Sequence, residues 1–228
     1  MSPVGDLEDD EEIGGSPPCY LHESRADGVL VDAQQARDVA QWRKAERSRL
    51  IALRTELPPQ DRALSTATIA RRLDEMIAAR STEPGEIVSV YWPIRAEPDL
   101  RTWMREACAR GLRIALPVAV ELGHALRFRE WRPDAPMARG LWKIPYPAAG
   151  EEVSPTIVIA PVVGFDQACY RLGYGGGFFD RTLATMARKP WVLGVGYAEL
   201  QIPTIFPQPH DIAMDWIVTG SESRRRPV

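Results

Sequence analysis

Several short segments of this chain consist almost entirely of apolar residues, and the clearest of them is residues 157–163, Ile-Val-Ile-Ala-Pro-Val-Val. A strand of this composition is buried on both faces, because a strand with one face in water alternates apolar and polar residues. Segments with the spacing of amphipathic helices separate these runs, an order typical of a mostly parallel sheet covered by helices. The sequence therefore predicts an α/β domain with three layers, α/β/α, around a mostly parallel sheet.

The same patterns give approximate boundaries for the helices and strands. Strands are predicted at residues 87–92, 113–118, 126–131, 157–163, 192–196 and 216–219, and the third of these is expected to be antiparallel or at an edge. Helices are predicted at residues 42–57, 61–80, 98–110 and 178–187. Pro58 and Pro59 separate the first two helices, because proline cannot continue a helix but can begin one.

Length and composition favour a single cytoplasmic domain. The chain has 228 residues, of which 45% are hydrophobic, so it can build one large core. It has no apolar segment of the ~18–20 residues that a membrane helix needs, and no signal-peptide pattern at its start. Its three cysteines are odd in number and lack zinc-site spacing, which is typical of a reducing compartment. Cys19 and His22 resemble half of a metal site, but no second half follows.

Charge is distributed unevenly along the chain. Residues 1–24 contain seven acidic residues and no basic residue, and this composition predicts a disordered tail. Residues 25–220 are predicted to form the folded domain, and residues 221–228, with three consecutive arginines, a second short tail. The net charge of −3 becomes +4 when the seven acids of residues 1–24 are left out. This balance is far from that of a nucleic-acid-binding protein but suits a pocket for a polyanion.

Three polar segments follow predicted strands. They are residues 93–99, residues 164–177 and the segment that begins at Tyr197. In an open parallel sheet, ligands bind beyond the carboxyl ends of the strands. We therefore expect these three segments to form one site.

The second of these segments contains Arg171-Leu172-Gly173-Tyr174-Gly175-Gly176-Gly177-Phe178, in which four of the five residues 173–177 are glycine. Glycines let backbone amides approach a ligand, and the helix predicted to follow directs its free N–H groups and positive dipole end to the same point. The expected ligand is an anion, which Arg171 can hold with two parallel hydrogen bonds. The alternative is a flexible turn beside a surface arginine, since a glycine run alone is weakly specific. The segment matches neither the dinucleotide-binding spacing nor the Gly-Lys-Ser/Thr ending of a P-loop.

The run from Arg171 to Phe178, with the Asp180-Arg181 pair that follows, closely resembles the signature of the 5-formyltetrahydrofolate cyclo-ligases, also called methenyltetrahydrofolate synthetases. The resemblance extends over about residues 42–219. Its other parts are the basic start of the first helix, Glu97 after the first strand, Trp142-Lys143-Ile144-Pro145 before the central strand, and Asp215 at the start of the last strand. It implies a three-layer α/β/α fold.

The resemblance also implies an activity. The family's enzymes use Mg-ATP to close 5-formyltetrahydrofolate into 5,10-methenyltetrahydrofolate, with release of ADP and phosphate. Phosphorylation of the formyl oxygen makes it a leaving group for attack by the neighbouring amine, a reaction that needs positioning and positive charge around the phosphates. The expected cofactors are ATP and Mg²⁺ and the expected substrate a reduced folate. A monomer or weak homodimer without nucleic-acid or membrane partners is expected.

By position, the resemblance implies roles for individual residues. The residues implied to bind ATP are Arg43, Lys44, Arg47, Arg171, Leu172, Gly173, Tyr174, Gly175, Gly176, Gly177, Phe178 and Phe179. Arg171 and Tyr174 are the candidates for catalysis, Asp180 and Asp215 for magnesium, and Glu97, Trp142 and Phe179 for the folate. Hard oxygen ligands suit Mg²⁺, which uses one or two carboxylates.

Taken without the resemblance, the same residues allow simpler interpretations. Arg43 and Arg47, four residues apart, can form a solvated basic helix face. Asp180 can stabilise the start of a helix. Glu97 can do the same or form a salt bridge with Arg95 or Arg101.

Three residues depart from the family pattern. Cys169 and Ala96 stand where glycine is usual or common, and Phe179 stands where tyrosine is usual. Cys169 is expected to be a small packing residue, because no base lies beside it in the sequence. The departures leave open a non-catalytic relative that binds a nucleotide or folate. An unrelated sugar-phosphate enzyme is a third hypothesis, but it leaves Glu97 and Asp215 without a role.

Overall fold

A computed structural model describes residues 33–80 and 85–227. The predicted acidic tail, residues 1–24, lies outside the described residues together with Cys19 and His22. No helix in the described part of the chain is long and apolar enough to cross a membrane.

The helices and strands follow one another in an α/β order after two initial helices. In chain order they are α1 (Ala33–Glu56), α2 (Pro59–Ala79), β1 (Ile87–Ser89), α3 (Arg101–Ala109), β2 (Arg113–Val118), β3 (Arg127–Trp131), β4 (Met137–Arg139), β5 (Pro145–Pro147), β6 (Ile157–Pro161), β7 (Gly164–Phe165), β8 (Arg171–Leu172), α4 (Phe178–Thr185), β9 (Trp191–Val195), β10 (Trp216–Val218) and β11 (Ser223–Arg225). Short 3₁₀ turns occur at Leu141–Lys143 and Ala198–Leu200.

The central sheet has seven strands in the order β11-β10-β9-β6-β1-β2-β3. Its five inner strands are parallel, and β3 and β11 pair antiparallel at the two edges. This arrangement confirms the predicted mostly parallel sheet and the antiparallel edge strand near residues 126–131. The inner strands are buried on both faces, as their continuous apolar composition requires.

Helices cover both faces of the sheet, which confirms the three-layer architecture. On one face, Ile69, Leu73 and Ile77 of α2 form a buried stripe with four-residue spacing and pack in one core with Trp103 and Met104 of α3. On the other face, Leu50 of α1 and Leu183 of α4 pack in a second core against β6 and β9. The second core lies beneath the candidate site and fixes α1 against it.

Several boundaries differ from the sequence prediction; for example, β1 ends at Ser89 instead of residue 92, and α3 begins at Arg101 instead of residue 98. Two further differences change how a segment is interpreted. α1 begins at Ala33 instead of residue 42, because its first turns are rich in Ala, Gln and Arg, which favour helix without an apolar stripe. Residues 221–228 are not simply a tail, since Ser223–Arg225 pair with β10 as an edge strand. The arginines predicted a solvated tail, but an edge strand tolerates charged side chains because part of it remains in water.

Candidate active site

The three polar segments predicted to form a site meet beyond the carboxyl ends of β1, β6 and β9, which are neighbours in the sheet. The hydroxyl of Tyr174, in the segment after β6, lies 2.8 Å from Glu97 in the segment after β1. The backbone N–H of Ile202, in the segment after β9, donates to the carbonyl of Phe165 at 2.9 Å. The sheet therefore brings distant parts of the chain to one place, as its parallel topology predicts.

The glycine loop, residues 173–177, connects the β7–β8 hairpin to α4. Gly175 and Gly177 have φ angles of +97° and +62°, a region that glycine occupies at little cost. A Cβ atom on Gly173 would lie 2.5 Å from the Arg171 guanidinium, so a side chain there would displace the guanidinium. Within the described residues, no backbone carbonyl accepts a hydrogen bond from the N–H groups of residues 173–177. These N–H groups are therefore available to an anion at the start of α4.

Arg171 is almost fully enclosed, with 8% of its surface exposed. Its Nη2 donates to Oδ2 of Asp180 at 2.8 Å, and its guanidinium lies 5.2 Å from the centre of the Phe179 ring. Its Nε is buried and has no hydrogen-bond partner among the described residues. The alternative of a surface arginine is therefore wrong: Asp180 holds the Arg171 side chain through Nη2, and Nε has no acceptor among the described residues.

Arg181, which directly follows Asp180, is a second arginine at the glycine loop. It donates to the carbonyl of Gly176, and its guanidinium packs 5.6 Å from the centre of the Phe178 ring. Its Nε is also buried without a partner in the described part of the chain. Arg181 belongs to the motif but was not predicted as a site residue. A basic residue in the first turn of a helix has no local sequence pattern that separates a ligand-binding arginine from a surface arginine.

Arg47 approaches the loop from α1. Its Nε donates to the carbonyl of Gly173 at 2.8 Å, and its Cζ would lie 3.3 Å from a Cβ atom on Gly175. Burial lowers the pKa of Arg47 from its ordinary value, and repulsion from Arg43 adds to the effect. Excess positive charge at this position is stabilised by an incoming anion. Arg47 therefore lies at the glycine loop.

Arg43 lies one turn before Arg47 but has protein partners for most of its donors. Its Nε donates to the carbonyl of Ile205 at 2.9 Å and its Nη2 to the carbonyl of Phe206 at 2.9 Å. An ion pair of 2.5 Å with Asp211 completes the set. Arg43 therefore holds the segment between β9 and β10 against α1. Lys44, on the adjacent position of the helix, is exposed.

The two predicted magnesium ligands do not lie together. Asp180 is at the start of α4 beside the glycine loop, where its second oxygen accepts from the N–H of Ile212 at 3.2 Å. Asp215 precedes β10, at the amino end of that strand, and its carboxylate accepts from the N–H of Val192 at 2.8 Å. An ion pair of 3.5 Å with Arg226 occupies its other oxygen. The assignment of Asp215 to a shared metal site with Asp180 is therefore not supported.

Asp211 is the carboxylate that the sequence analysis missed. It directly precedes Ile212, which contacts Asp180, and its side chain is 8% exposed. It pairs with Arg43 and also accepts from the N–H of Gln208 at 2.6 Å. Asp211 lies in the segment after β9, which was predicted to be part of the site because ligands bind beyond the carboxyl ends of parallel strands. The same rule could have identified Asp211 as a site residue.

Arg54, Tyr174 and Glu97 form a buried hydrogen-bonded group. Nη2 of Arg54 donates to the hydroxyl oxygen of Tyr174 at 2.5 Å, and that hydroxyl donates to Oε1 of Glu97 at 2.8 Å. The other carboxylate oxygen of Glu97 accepts from the N–H of Ile94 at 2.9 Å. Arg54 was not predicted as a site residue, because an arginine on an amphipathic helix ordinarily faces water.

Burial dominates the acid–base properties of this group. It raises the pKa of Glu97 above its ordinary value, although Arg54, the N–H of Ile94, Tyr174 and Arg95 act in the opposite direction. Burial also raises the pKa of Tyr174, and the nearby Glu97 carboxylate adds to this effect. Tyr174 therefore keeps its proton at neutral pH and can donate it in the hydrogen bond to Glu97.

Trp142 and Phe178 form an aromatic corner beside the glycine loop. Their ring centres are 5.4 Å apart in an edge-to-face arrangement, and half of the Trp142 surface is exposed. Trp142 has a φ angle of +54°, which is rare for a bulky residue and is maintained only where the surrounding structure determines it. An exposed, rigidly presented indole is suited to pack against a flat ligand.

The family's preference for glycine at positions 169 and 96 has a conformational explanation. Cys169 has a φ angle of +63° and Ala96 one of +60°, so both occupy the left-handed region that favours glycine. Cys169 is also fully buried, and burial raises the pKa of its thiol. The expectation that Cys169 packs rather than reacts is consistent with this position, since a reactive cysteine has a lowered pKa.

Comparison with known proteins gives a consistent result. The model of the 5-formyltetrahydrofolate cyclo-ligase family matches residues 39–220. A 5-formyltetrahydrofolate cyclo-ligase of Mycolicibacterium smegmatis is 30% identical over 143 residues, which span 59% of this chain and 74% of the relative. The 5-formyltetrahydrofolate cyclo-ligase of Escherichia coli K12 is 31% identical over 143 residues, spanning 59% and 78% of the two chains.

Solved structures share the fold. The NMR structure of the Aquifex aeolicus 5,10-methenyltetrahydrofolate synthetase superposes with a TM-score of 0.69 at 26% identity and covers 82% of this chain and 93% of that one. A 5,10-methenyltetrahydrofolate synthetase from Mycoplasma pneumoniae, 20% identical, superposes with a TM-score of 0.62 over 78% of this chain and 98% of its own. At this lower identity the likeness concerns the fold alone.

Proposed function

Because the chain belongs to the 5-formyltetrahydrofolate cyclo-ligase family, we propose that it catalyses the ATP-dependent closure of 5-formyltetrahydrofolate to 5,10-methenyltetrahydrofolate, with release of ADP and phosphate. The observation that carries the proposal is the glycine loop with its free N–H groups, beside which Arg171 and Arg181 each keep a buried Nε without a partner among the described residues. Buried guanidinium donors that lack an acceptor are costly, and an anion in the loop would satisfy them.

The chemistry matches this lining. The formyl oxygen attacks the γ-phosphorus of ATP, the bond to the β,γ-bridging oxygen breaks, and ADP leaves. The amine at N10 then attacks the formyl carbon, loses its proton, and the formyl oxygen departs with the phosphoryl group as inorganic phosphate. Both steps move negative charge among phosphate oxygens, so positioned cations contribute more than a covalent group on the protein would.

We propose that the triphosphate lies along residues 173–177, with Arg171 at the transferring phosphoryl group. Arg171 is pre-positioned by Asp180 at 2.8 Å and packs on the ring of Phe179, so little side-chain freedom remains to be lost on binding. Arg47 reaches the loop from α1 and neutralises charge on the opposite side. Arg43, whose donors are engaged by Ile205, Phe206 and Asp211, holds the segment between β9 and β10 against α1.

Asp180 is the carboxylate that we propose to meet Mg²⁺ bound to the triphosphate. The described residues include no cluster of three or more His, Cys, Asp or Glu side chains suited to a metal ion. Mg²⁺ is commonly held by one or two carboxylates together with substrate phosphates and water, so Asp180 beside the loop fits, and Asp211 is the nearest second candidate. Asp215 does not fit, because it lies at the amino end of β10, whereas the glycine loop lies at the carboxyl edge of the sheet. The ion would neutralise phosphate charge.

The folate is proposed to lie between Glu97 and the aromatic corner. Glu97 has both carboxylate oxygens fixed by Tyr174 and Ile94, so it is orientated to accept further hydrogen bonds from the pterin. Trp142 presents an exposed indole for packing against a ring system. Phe179 lacks the hydroxyl of the usual tyrosine, but its ring covers the Arg171 guanidinium at 5.2 Å. The substitution therefore leaves the phosphate side of the site intact.

No observation favours the non-catalytic alternative. Cys169 is a packing residue, and Phe179 keeps the contact of its ring with Arg171. We propose that the active form is a monomer or a weak homodimer. Two free cysteines, Cys108 and Cys169, support a reducing, cytoplasmic location.

The experiment that tests the proposal is an assay for the methenyl chromophore, which absorbs in the near ultraviolet. Purified protein is mixed with 5-formyltetrahydrofolate, ATP and Mg²⁺, with matched reactions that lack ATP or contain Arg171→Ala protein. We expect ATP-dependent product formation by the wild type, reduced formation by Arg171→Ala, and full activity for Arg49→Ala, an exposed arginine of α1 that pairs with Glu46. Absence of turnover by folded wild-type protein would refute the proposed function.

A further inference from the structure

Arg54 is the largest side chain that is fully buried in the described part of the chain. An arginine keeps its charge when it is buried, so its position must be stabilised by well-placed acceptors. It lies on one stripe of α1 with Arg43, Arg47 and Leu50, at spacings of four, three and four residues. Arg43 and Arg47 hold two segments of the site, and Arg54 is the last member of this stripe.

The guanidinium of Arg54 joins three segments at the carboxyl edge of the sheet. Its Nε donates to the carbonyl of Arg95, after β1, at 2.9 Å, and its Nη1 to the carbonyl of Val162, after β6, at 3.4 Å. Its Nη2 donates to the hydroxyl of Tyr174 in the glycine loop at 2.5 Å. Nη1 also lies 3.9 Å from Oε1 of Glu97.

The hydroxyl of Tyr174 links Arg54 to Glu97. It accepts from Arg54 and donates to Glu97, so its two hydrogen bonds fix the direction of the O–H group and the rotation of the carboxylate. Tyr174 belongs to the loop proposed to bind the triphosphate, whereas Glu97 is proposed to bind the folate. A change in the position of the glycine loop therefore changes the orientation of Glu97.

We propose that Arg54 is a positioning residue that couples the two substrate sites, so that ATP at the glycine loop strengthens folate binding through Tyr174 and Glu97. The inference rests on the proposed function and adds an energetic link between its two substrates. Such coupling is reciprocal, since a nucleotide that strengthens folate binding must itself bind more tightly when the folate is present. The glycine loop, whose N–H groups lack carbonyl partners among the described residues, is the element proposed to move when ATP binds.

Electrostatics supplies a second readout. The ionisable groups that face Glu97 from the elements packed around it are Arg54, Tyr174, Arg95, Tyr91 and Tyr197. Burial raises the pKa of Glu97, and Arg54 is the strongest influence that lowers it. Without Arg54, Glu97 therefore ionises at a higher pH. Because the ionised form accepts hydrogen bonds from the pterin, the pH below which folate binding weakens should move upward.

The test measures the Kd of 5-formyltetrahydrofolate with and without a saturating, non-hydrolysable ATP analogue and Mg²⁺. For the wild type we expect the analogue to lower this Kd by about 5- to 150-fold. Tyr174→Phe keeps the ring but removes the linking hydroxyl, and Arg54→Met removes the guanidinium; both should bring the ratio close to one. Arg54→Lys keeps the charge without the planar fork and should restore only part of the ratio. Arg49→Met, on an exposed position of the same helix, is the control that should retain it.

Each outcome has a distinct meaning. A wild-type protein that turns over but binds folate equally well with and without the analogue contradicts the coupling alone. An unchanged ratio in folded Tyr174→Phe also overturns the role of the hydroxyl link, even if Arg54→Met does not fold. In Arg54→Met, an unshifted pH profile of folate binding contradicts the link between Arg54 and Glu97. A wild-type protein without turnover contradicts the proposed function itself.

Discussion

The guanidinium of Arg171 lies 2.8 Å from the carboxylate of Asp180, and the two side chains are only 5% and 13% exposed. This relationship makes Arg171 a fixed part of the site. An enclosed ion pair beside a glycine loop is pre-organised for an anion, because the arrangement exists before the ligand arrives.

Replacement of Arg171 by alanine should impair both catalysis and stability. We expect kcat/KM for ATP to fall roughly 10- to 1000-fold, because a positioned cation is lost from the transition state. We also expect the free energy of unfolding to fall by about 3 kcal/mol, since Asp180 loses its partner in an enclosed position. Steady-state kinetics below the melting temperature and denaturant titration measure the two effects separately.

Arg171→Lys is the matched variant for this prediction. Lysine keeps the charge but loses the planar fork, so it should recover part of the stability and only a small part of the activity. Full recovery of activity by lysine would show that charge alone is needed, and the assignment of Arg171 to the phosphoryl group would be withdrawn.

Replacement of Ala96 by glycine should stabilise the protein. Ala96 has a φ angle of +60°, where a residue with a Cβ atom carries steric strain that glycine avoids. We expect the free energy of unfolding to rise by about 1 kcal/mol, measured by urea titration. Ala135→Gly is the control, because Ala135 is not among the positive-φ residues and glycine there should give no gain. Equal effects of the two substitutions would remove the conformational explanation for the family's glycine.

The magnesium requirement should distinguish Asp180 from Asp215. Asp180→Asn should raise the Mg²⁺ concentration needed for half-maximal activity, because an amide is a weaker ligand for Mg²⁺ than a carboxylate. Asp215→Asn should leave the Mg²⁺ titration unchanged, since Asp215 contacts Val192 and Arg226 instead of the glycine loop. The reverse result would restore Asp215 to the site and exclude the assignment of Asp180.

Glu97 should make the stability of the protein depend on pH in a defined direction. Its pKa in the folded protein lies above the ordinary value of 4.5, chiefly because of burial. Between these two pKa values the folded state holds more protons on Glu97 than the unfolded state does, so stability falls as the pH rises. As the pH rises from 4.5, the free energy of unfolding of the wild type should therefore fall relative to that of Glu97→Gln. A shift in favour of the wild type over this window would mean that Arg54 and Tyr174 outweigh burial.

Local patterns in the sequence predicted much of the fold and the glycine loop. Residues 157–161 form a buried central strand because their composition allows no solvent-exposed face, and Gly175 and Gly177 have positive φ angles that favour glycine. Both signals are contained in neighbouring residues, so no tertiary information was needed to read them.

The remaining site residues depend on tertiary packing. In the sequence, Arg54 cannot be distinguished from an arginine on a solvated helix face. It is buried only because the folded chain places Arg95, Val162 and Tyr174 around it. Asp211 and Asp215 are four residues apart, and β-strand pairing turns Asp215 toward Val192. A pattern of residue types could not choose between these two carboxylates.

The central claim is that ATP phosphorylates the formyl oxygen while Arg171 and the glycine loop hold the transferring group. Its most direct test uses 5-formyltetrahydrofolate labelled with ¹⁸O in the formyl group, with mass spectrometry of the released phosphate after turnover by the wild-type protein. The mechanism predicts that the label appears in inorganic phosphate, with one labelled oxygen for each methenyl product formed. Label found in water, with unlabelled phosphate, would contradict the account, because the formyl oxygen would then have left without ever being bonded to phosphorus.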